Sequence, residues 1–208
     1  TGALDKEEFS FFSGKYDQLK NALPYSAIMS AFRQAVMQLV ISPSLANHRI
    51  MKKWRTQLKT ALGQNGQLII DVLGQELELV IGKQKPPVAV SADEALLRFL
   101  ETFMAFVRTL ATPYHKLTFF IDDLQWADRA SFMLMTQLLM NPNIYFIGAY
   151  RTNEVSEGHP LFTTFAEVKK RTKVHEINLM PPAETQLNVL CSDTLKCEPT
   201  YCAPLTRL

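Results

Sequence analysis

The chain has 208 residues, a formal net charge of +2 and a hydrophobic fraction of 47%, which is one domain's worth of chain with enough apolar side chain for a substantial core. Its 20 acids nearly balance its 22 lysines and arginines, so it lacks the positive excess with which a nucleic-acid binder releases counterions, and neither DNA nor RNA is an expected partner. No apolar run approaches the ~20 residues that span a bilayer, so no membrane span is expected.

The opening Thr-Gly-Ala-Leu-Asp-Lys-Glu-Glu carries no initiator Met, no signal-peptide pattern and no lipidation motif. It reads as an excised piece of a longer protein. Cys191, Cys197 and Cys202 match neither a CxxC pair nor a zinc-knuckle spacing. They are expected to be free thiols in a reducing cytoplasm.

Taken in order, residues 8–13, with Phe9, Phe11 and Phe12, predict a strand that turns at Gly14. Residues 25–41 place Ile28, Ala31, Phe32, Ala35, Val36, Leu39 and Val40 three and four apart, the spacing of an amphipathic helix. A second helix over 45–62 ends at Gly63, and its Lys52, Lys53 and Arg55 form a solvated face. The apolar stretches 68–73 and 77–81 favour short helices. After a Pro86-Pro87 loop, Ser91 and Glu94 predict a capping box for a helix running to about Leu110.

From there strands and helices alternate. Residues 117–121 predict a buried strand, Asp128 caps a helix to Met140, 144–150 form a second buried strand, 161–170 a helix, and 174–179 a third strand. Fully apolar strands joined by helices predict a parallel sheet covered on both faces, and the class is α/β.

The sharpest signal is Phe119-Phe120-Ile121-Asp122-Asp123, which sets two acids at the end of a buried strand, where open α/β sheets gather their ligands. Asp-Asp can also be no more than a solvated turn. The run Ile121-Asp122-Asp123-Leu124-Gln125-Trp126-Ala127-Asp128 narrows the choice. It resembles the AAA-like P-loop ATPase domains of the STAND group, as found in large bacterial serine/threonine and histidine kinases.

Further segments are similar to that family in the same order: residues 12–18 (Phe-Ser-Gly-Lys-Tyr-Asp-Gln), 24–28, Trp54, 61–67, 77–82, 147–151 and 159–161. The resemblance implies that Asp122 is the Walker B residue for Mg2+, with Asp123 beside it at the metal and next to the attacking water. It implies that Arg151 is the sensor arginine that binds the ATP γ-phosphate, a task suited to a permanently charged, forked guanidinium. ATP and Mg2+ are then the implied cofactors. Other domains of a parent signalling kinase, and nucleotide-dependent self-association, are the implied partnerships.

Two departures stand out. Where the family reads Arg-Asp-Asn-Glu, this chain has Arg151-Thr152-Asn153-Glu154, and no Gly-x-x-x-x-Gly-Lys-Ser/Thr phosphate loop occurs. Gly14-Lys15 does not replace it, because Tyr16 stands where a magnesium-binding hydroxyl is needed and Phe9 where the first glycine belongs. No zincin helix, Gly-x-Ser-x-Gly or kinase catalytic loop is present. Trp126 is expected to be a packing residue.

The fold expected is therefore a three-layer P-loop NTPase-type parallel sheet with a large helical insertion over 24–110, lacking the Walker A strand and loop. Residues 1–180 form that incomplete core and 181–208 begin a helical lid. By itself the chain is expected to be inactive. The rival reading is a scaffold module whose acids are vestigial and whose insertion binds another protein. With a central strand missing, 174–179 is expected either to pair with the strand at 144–150 or to sit detached.

Overall fold

The computed structural model describes residues 8–18, 24–41, 45–198 and 201, and the chain divides into two units, Thr1–Lys173 and Val174–Leu208. The first is built on a parallel sheet of three strands in the order β1 (Glu8–Lys15), β2 (His115–Asp122) and β3 (Ile144–Gly148). The register pairs Phe12 with Phe119 and Lys15 with Asp122, and pairs Phe119 with Phe146. β1 runs two residues beyond the expected Ser13, so Gly14 lies inside the strand rather than in a turn.

Each strand steps to its neighbour in the same direction. Right-handed crossovers of that kind lay their connecting helices on one face of the sheet. Partners in a parallel register share a face, so Phe12, Leu117, Phe119, Ile121 and Ile144 point to the helices, and all five are buried. On the opposite face Phe11, Tyr145 and Ile147 are 56%, 48% and 49% exposed. The expectation of strands covered on both faces, with a buried strand throughout 144–150, is thus corrected: burial in β2 alternates, and β3 is an edge strand that ends at Gly148. The apolar runs that suggested two-sided cover carry residues of both faces.

Among the described residues five α-helices separate β1 from β2: α1 (Ser26–Ile41), α2 (Leu45–Leu62), α3 (Gly66–Leu73), α4 (Glu78–Ile81) and α5 (Ala92–Leu110). α1 packs on β1 and β2, and α5 packs on α2 and α3. The centre is aromatic. The Phe32 ring lies 4.6 Å from Phe119 and 4.9 Å, edge-on, from Phe103, arrangements that suit the ring quadrupoles.

Two arginines tie the insertion together by satisfying carbonyls left without partners at helix ends. Arg33 donates from Nε and Nη2 to Val72 O at 2.9 and 2.7 Å, and Arg55 donates to Val80 O and Leu79 O at 2.8 Å each. Arg55 is therefore more than part of a solvated face. Lys52 is exposed, and the Lys53 side chain lies outside the described residues. At the start of α5, Ser91 Oγ accepts from Glu94 N at 3.4 Å, while the Glu94 carboxylate turns to Arg98.

β1 approaches α1 so closely that Gly14 has no room for a side chain: a Cβ there would stand 2.1 Å from Ala27 O. Gly14→Ala must push backbone from backbone. We expect it to lower stability by about 1–3 kcal/mol, measured as a fall in the thermal midpoint.

After β2 come α6 (Arg129–Leu138), β3 and α7 (Pro160–Lys169). Asp128 caps α6 as expected, its Oδ1 accepting from Ser131 N at 2.8 Å. Asp128 Oδ2 and Ser131 Oγ also accept from Tyr25 N, at 3.3 and 3.0 Å, which fixes the entry to α1. His159 caps α7 through Leu161 N.

In the second unit, residues 174–183 carry no regular structure, and α8 (Glu184–Leu195) follows. The strand expected at 174–179 does not form. Its alternating residues suit a half-buried strand, yet Ile177 and Leu179 are more than four-fifths exposed, and backbone without a paired ladder gains nothing from extension. Cys191 is a free thiol, Cys197 is half-buried, and Cys202 lies outside the described residues. No helix among the described residues is long and apolar enough to cross a membrane.

Candidate functional site

β2 delivers Asp122 at its last position, and the chain then turns sharply. Asp123 adopts a left-handed conformation (φ 53, ψ 47) and opens a 3-10 turn over Leu124–Trp126. Aspartate tolerates that region better than most residues, and outliers of this kind gather at functional sites. The turn drives the Asp123 carboxylate inward until the residue is only 3% exposed, while Asp122 stays half-buried.

A buried carboxylate needs compensation, and Asp123 receives it from three side chains. Lys15 Nζ lies 2.8 Å from Oδ2, Gln125 Nε2 donates to Oδ1 at 3.0 Å, and Arg151 Nε lies 3.7 Å from Oδ1. Lys15 also reaches Asp122 Oδ2 at 3.3 Å, because the sheet register sets the two residues side by side on the uncovered face. A single ammonium thus sits between the two acids.

Gln125, itself buried, is the hub of the cluster. Its amide nitrogen donates a second bond to Glu154 Oε2 at 3.2 Å, and its amide oxygen accepts from Arg151 N at 3.2 Å. Its backbone oxygen lies 3.1 Å from His159 Nε2. Glu154 Oε1 accepts from the Arg151 guanidinium at 3.0 Å, and that guanidinium lies 5.9 Å from the Trp126 ring centre. Trp126 packs against the core as expected. Three carboxylates face two cationic side chains here, so the cluster keeps an excess negative charge at the carboxyl ends of β2 and β3.

The Lys15 ammonium, more than any other group, holds the Asp123 carboxyl below the usual carboxylate range, against burial, with Gln125 and Arg151 assisting. Asp123 and then Asp122 raise Lys15 above its ordinary value. A lowered acid contributes stability that is present above its ordinary value of 3.8 and lost as pH falls through the folded one. A raised lysine contributes stability that is present below 10.5 and lost as pH rises beyond it. Lys15→Met should therefore flatten the acid limb of the thermal midpoint against pH, relative to the unsubstituted chain. An unchanged limb would show that the pair adds nothing.

Of the residues singled out in the sequence, Asp122, Asp123 and Arg151 come together at one end of the sheet. Sequence reasoning missed Lys15, Gln125, Glu154 and His159. Gln125 stood within the quoted motif. The place of Lys15 required the strand register, which the separate apolar runs do not reveal.

The AAA ATPase domain family matches residues 2–147. That stretch carries Lys15, Asp122, Asp123 and Gln125 and stops before Arg151. Hybrid signal transduction histidine kinase G of Dictyostelium discoideum is 35% identical over 133 residues, which cover 64% of this chain and 4% of that protein. The chain thus spans a small part of its relative, and that relative is not one of the bacterial kinases expected from the sequence. No solved structure matches the chain at a significant level. With a three-stranded parallel α/β sheet, paired acids at its carboxyl end and a family match over most of its length, the chain belongs to the AAA ATPase domain family.

Proposed function

We propose that this domain supplies the hydrolytic side of an ATP site whose nucleotide cycle switches a larger signalling protein. The observation that carries the reading is the convergence of Asp122, Asp123 and Arg151 at the carboxyl ends of β2 and β3, with a cation already seated between the acids. Among the described residues no group of three or more His, Cys, Asp or Glu side chains is placed to hold a metal. Mg2+ does not need one, since it binds through one or two carboxylates and completes its shell with water and phosphate oxygen. The Lys15 ammonium shows that a positive charge fits against both carboxylates.

In this reading Asp122 would hold Mg2+, Asp123 would share that position and orient the attacking water, and Arg151 would turn from Glu154 to the γ-phosphate. Gln125 positions both Asp123 and the Arg151 backbone. Mg2+, when bound, supplies neutralisation of charge on the phosphate oxygens.

The 208 residues hold no phosphate-binding loop. We assign that loop to a segment adding a strand to the outer edge of β3, whose following helix would cover Tyr145 and Ile147 and complete a three-layer fold. Residues 1–180 are then the core, 24–110 its helical insertion and 181–208 the start of a lid. The kinase named among the relatives supports a signalling setting. ATP turnover by a protein carrying both halves, lost in Asp123→Asn while nucleotide still binds, tests the proposal; turnover that survives favours the scaffold reading.

A further inference from the structure

Lys15 has no part in that scheme, yet it makes the shortest ionic contact in the site. Asp123 Oδ2 is buried and, Lys15 apart, has no hydrogen-bond partner among the described residues. A carboxylate oxygen at the proposed metal position is thus satisfied by a side chain of the same chain. Lys15 can leave: its side chain is 61% exposed, it stands at the last position of β1, and its ammonium rides on a flexible stem.

We propose that Lys15 is a tethered cation that occupies the divalent-cation position of the acid pair and must withdraw before a hydrated Mg2+ can bind. This rests on the reading of Asp122 and Asp123 as the metal site. A metal ion about 2.0–2.1 Å from a carboxylate oxygen cannot coexist with an ammonium at hydrogen-bond distance from the same oxygen, on grounds of both space and like charge. Lys15 therefore does two opposed things. Without metal it neutralises a carboxylate that burial would otherwise penalise; with metal it competes.

A residue that merely stabilised the site would not show both effects. The displaced residue is also the end of β1, followed by Tyr16, whose N–H donates to Asp122 O at 3.2 Å. Metal entry thereby acts at the end of β1.

The test titrates Mn2+ into the 208-residue chain, with electron paramagnetic resonance reporting free ion, for the unsubstituted protein, Lys15→Met, Lys15→Arg and Asp122→Asn. Thermal melts with and without Mn2+ accompany the titration. Lys15→Met should bind Mn2+ roughly fivefold tighter, as expected for removing a partly exposed ion pair. It should also melt lower without metal and gain more on adding it. Lys15→Arg keeps the charge and should show no tightening, and Asp122→Asn should bind least. Equal or weaker binding in Lys15→Met, with Asp122→Asn still impaired, would overturn the tethered cation and leave the acid pair intact as the metal site. Absence of Mn2+ binding in every variant, Lys15→Met included, would overturn both.

Discussion

Asp123→Asn, in a protein that carries the whole nucleotide site, should lower ATP turnover by at least about a hundredfold, the scale of losing a positioned general base. The substitution removes the negative charge and the oxygen that Lys15 meets, and leaves the other oxygen in place. An asparagine keeps an oxygen for the Gln125 amide now 3.0 Å away, so the hub joining Glu154 and Arg151 stays in place. Nucleotide affinity should therefore change little. Asp122→Asn should in addition weaken Mg2+-dependent binding, because charge at the metal and charge at the water are separable contributions. Steady-state ATPase assays and nucleotide titrations on both variants check this, and full turnover in both would remove the acids from catalysis.

Phe32→Ala should cost about 3–5 kcal/mol, a large part of the 5–15 kcal/mol by which domains are usually stable. Phe32 is fully buried, and its ring meets Phe119 of β2, Phe103 and Phe106 of α5 at 4.6, 4.9 and 6.3 Å. The sheet and two helices thus share one side chain, and removing it leaves a cavity that none of them can fill alone. Urea unfolding should show a lower midpoint at nearly unchanged slope. A loss below about 1 kcal/mol would mean that the core collapses around the gap.

Much of this was legible in the residues. The three- and four-residue spacing of Ile28, Ala31, Phe32, Ala35 and Val36 gave α1, and all five are buried. The acids at the end of β2 stood out because a buried apolar run stops at them. Lys15 was not legible, because its partner Asp122 lies 107 residues away and only the β1–β2 register joins them. The residues at 174–179 misled because alternation reports a preference for extension and does not say whether a ladder forms. The half-exposed β3 misled for a related reason: an apolar run does not say whether anything covers its second face.

The acids as the cation site are tested most directly by the anomalous scattering of Mn2+ in crystals grown with ATP from a protein carrying the phosphate-binding loop. The expected result is one peak between the carboxylates of Asp122 and Asp123, with Lys15 withdrawn from Asp123 and Arg151 turned to the γ-phosphate. Bound nucleotide with no peak at the acids, and Lys15 still in contact with both, would contradict it.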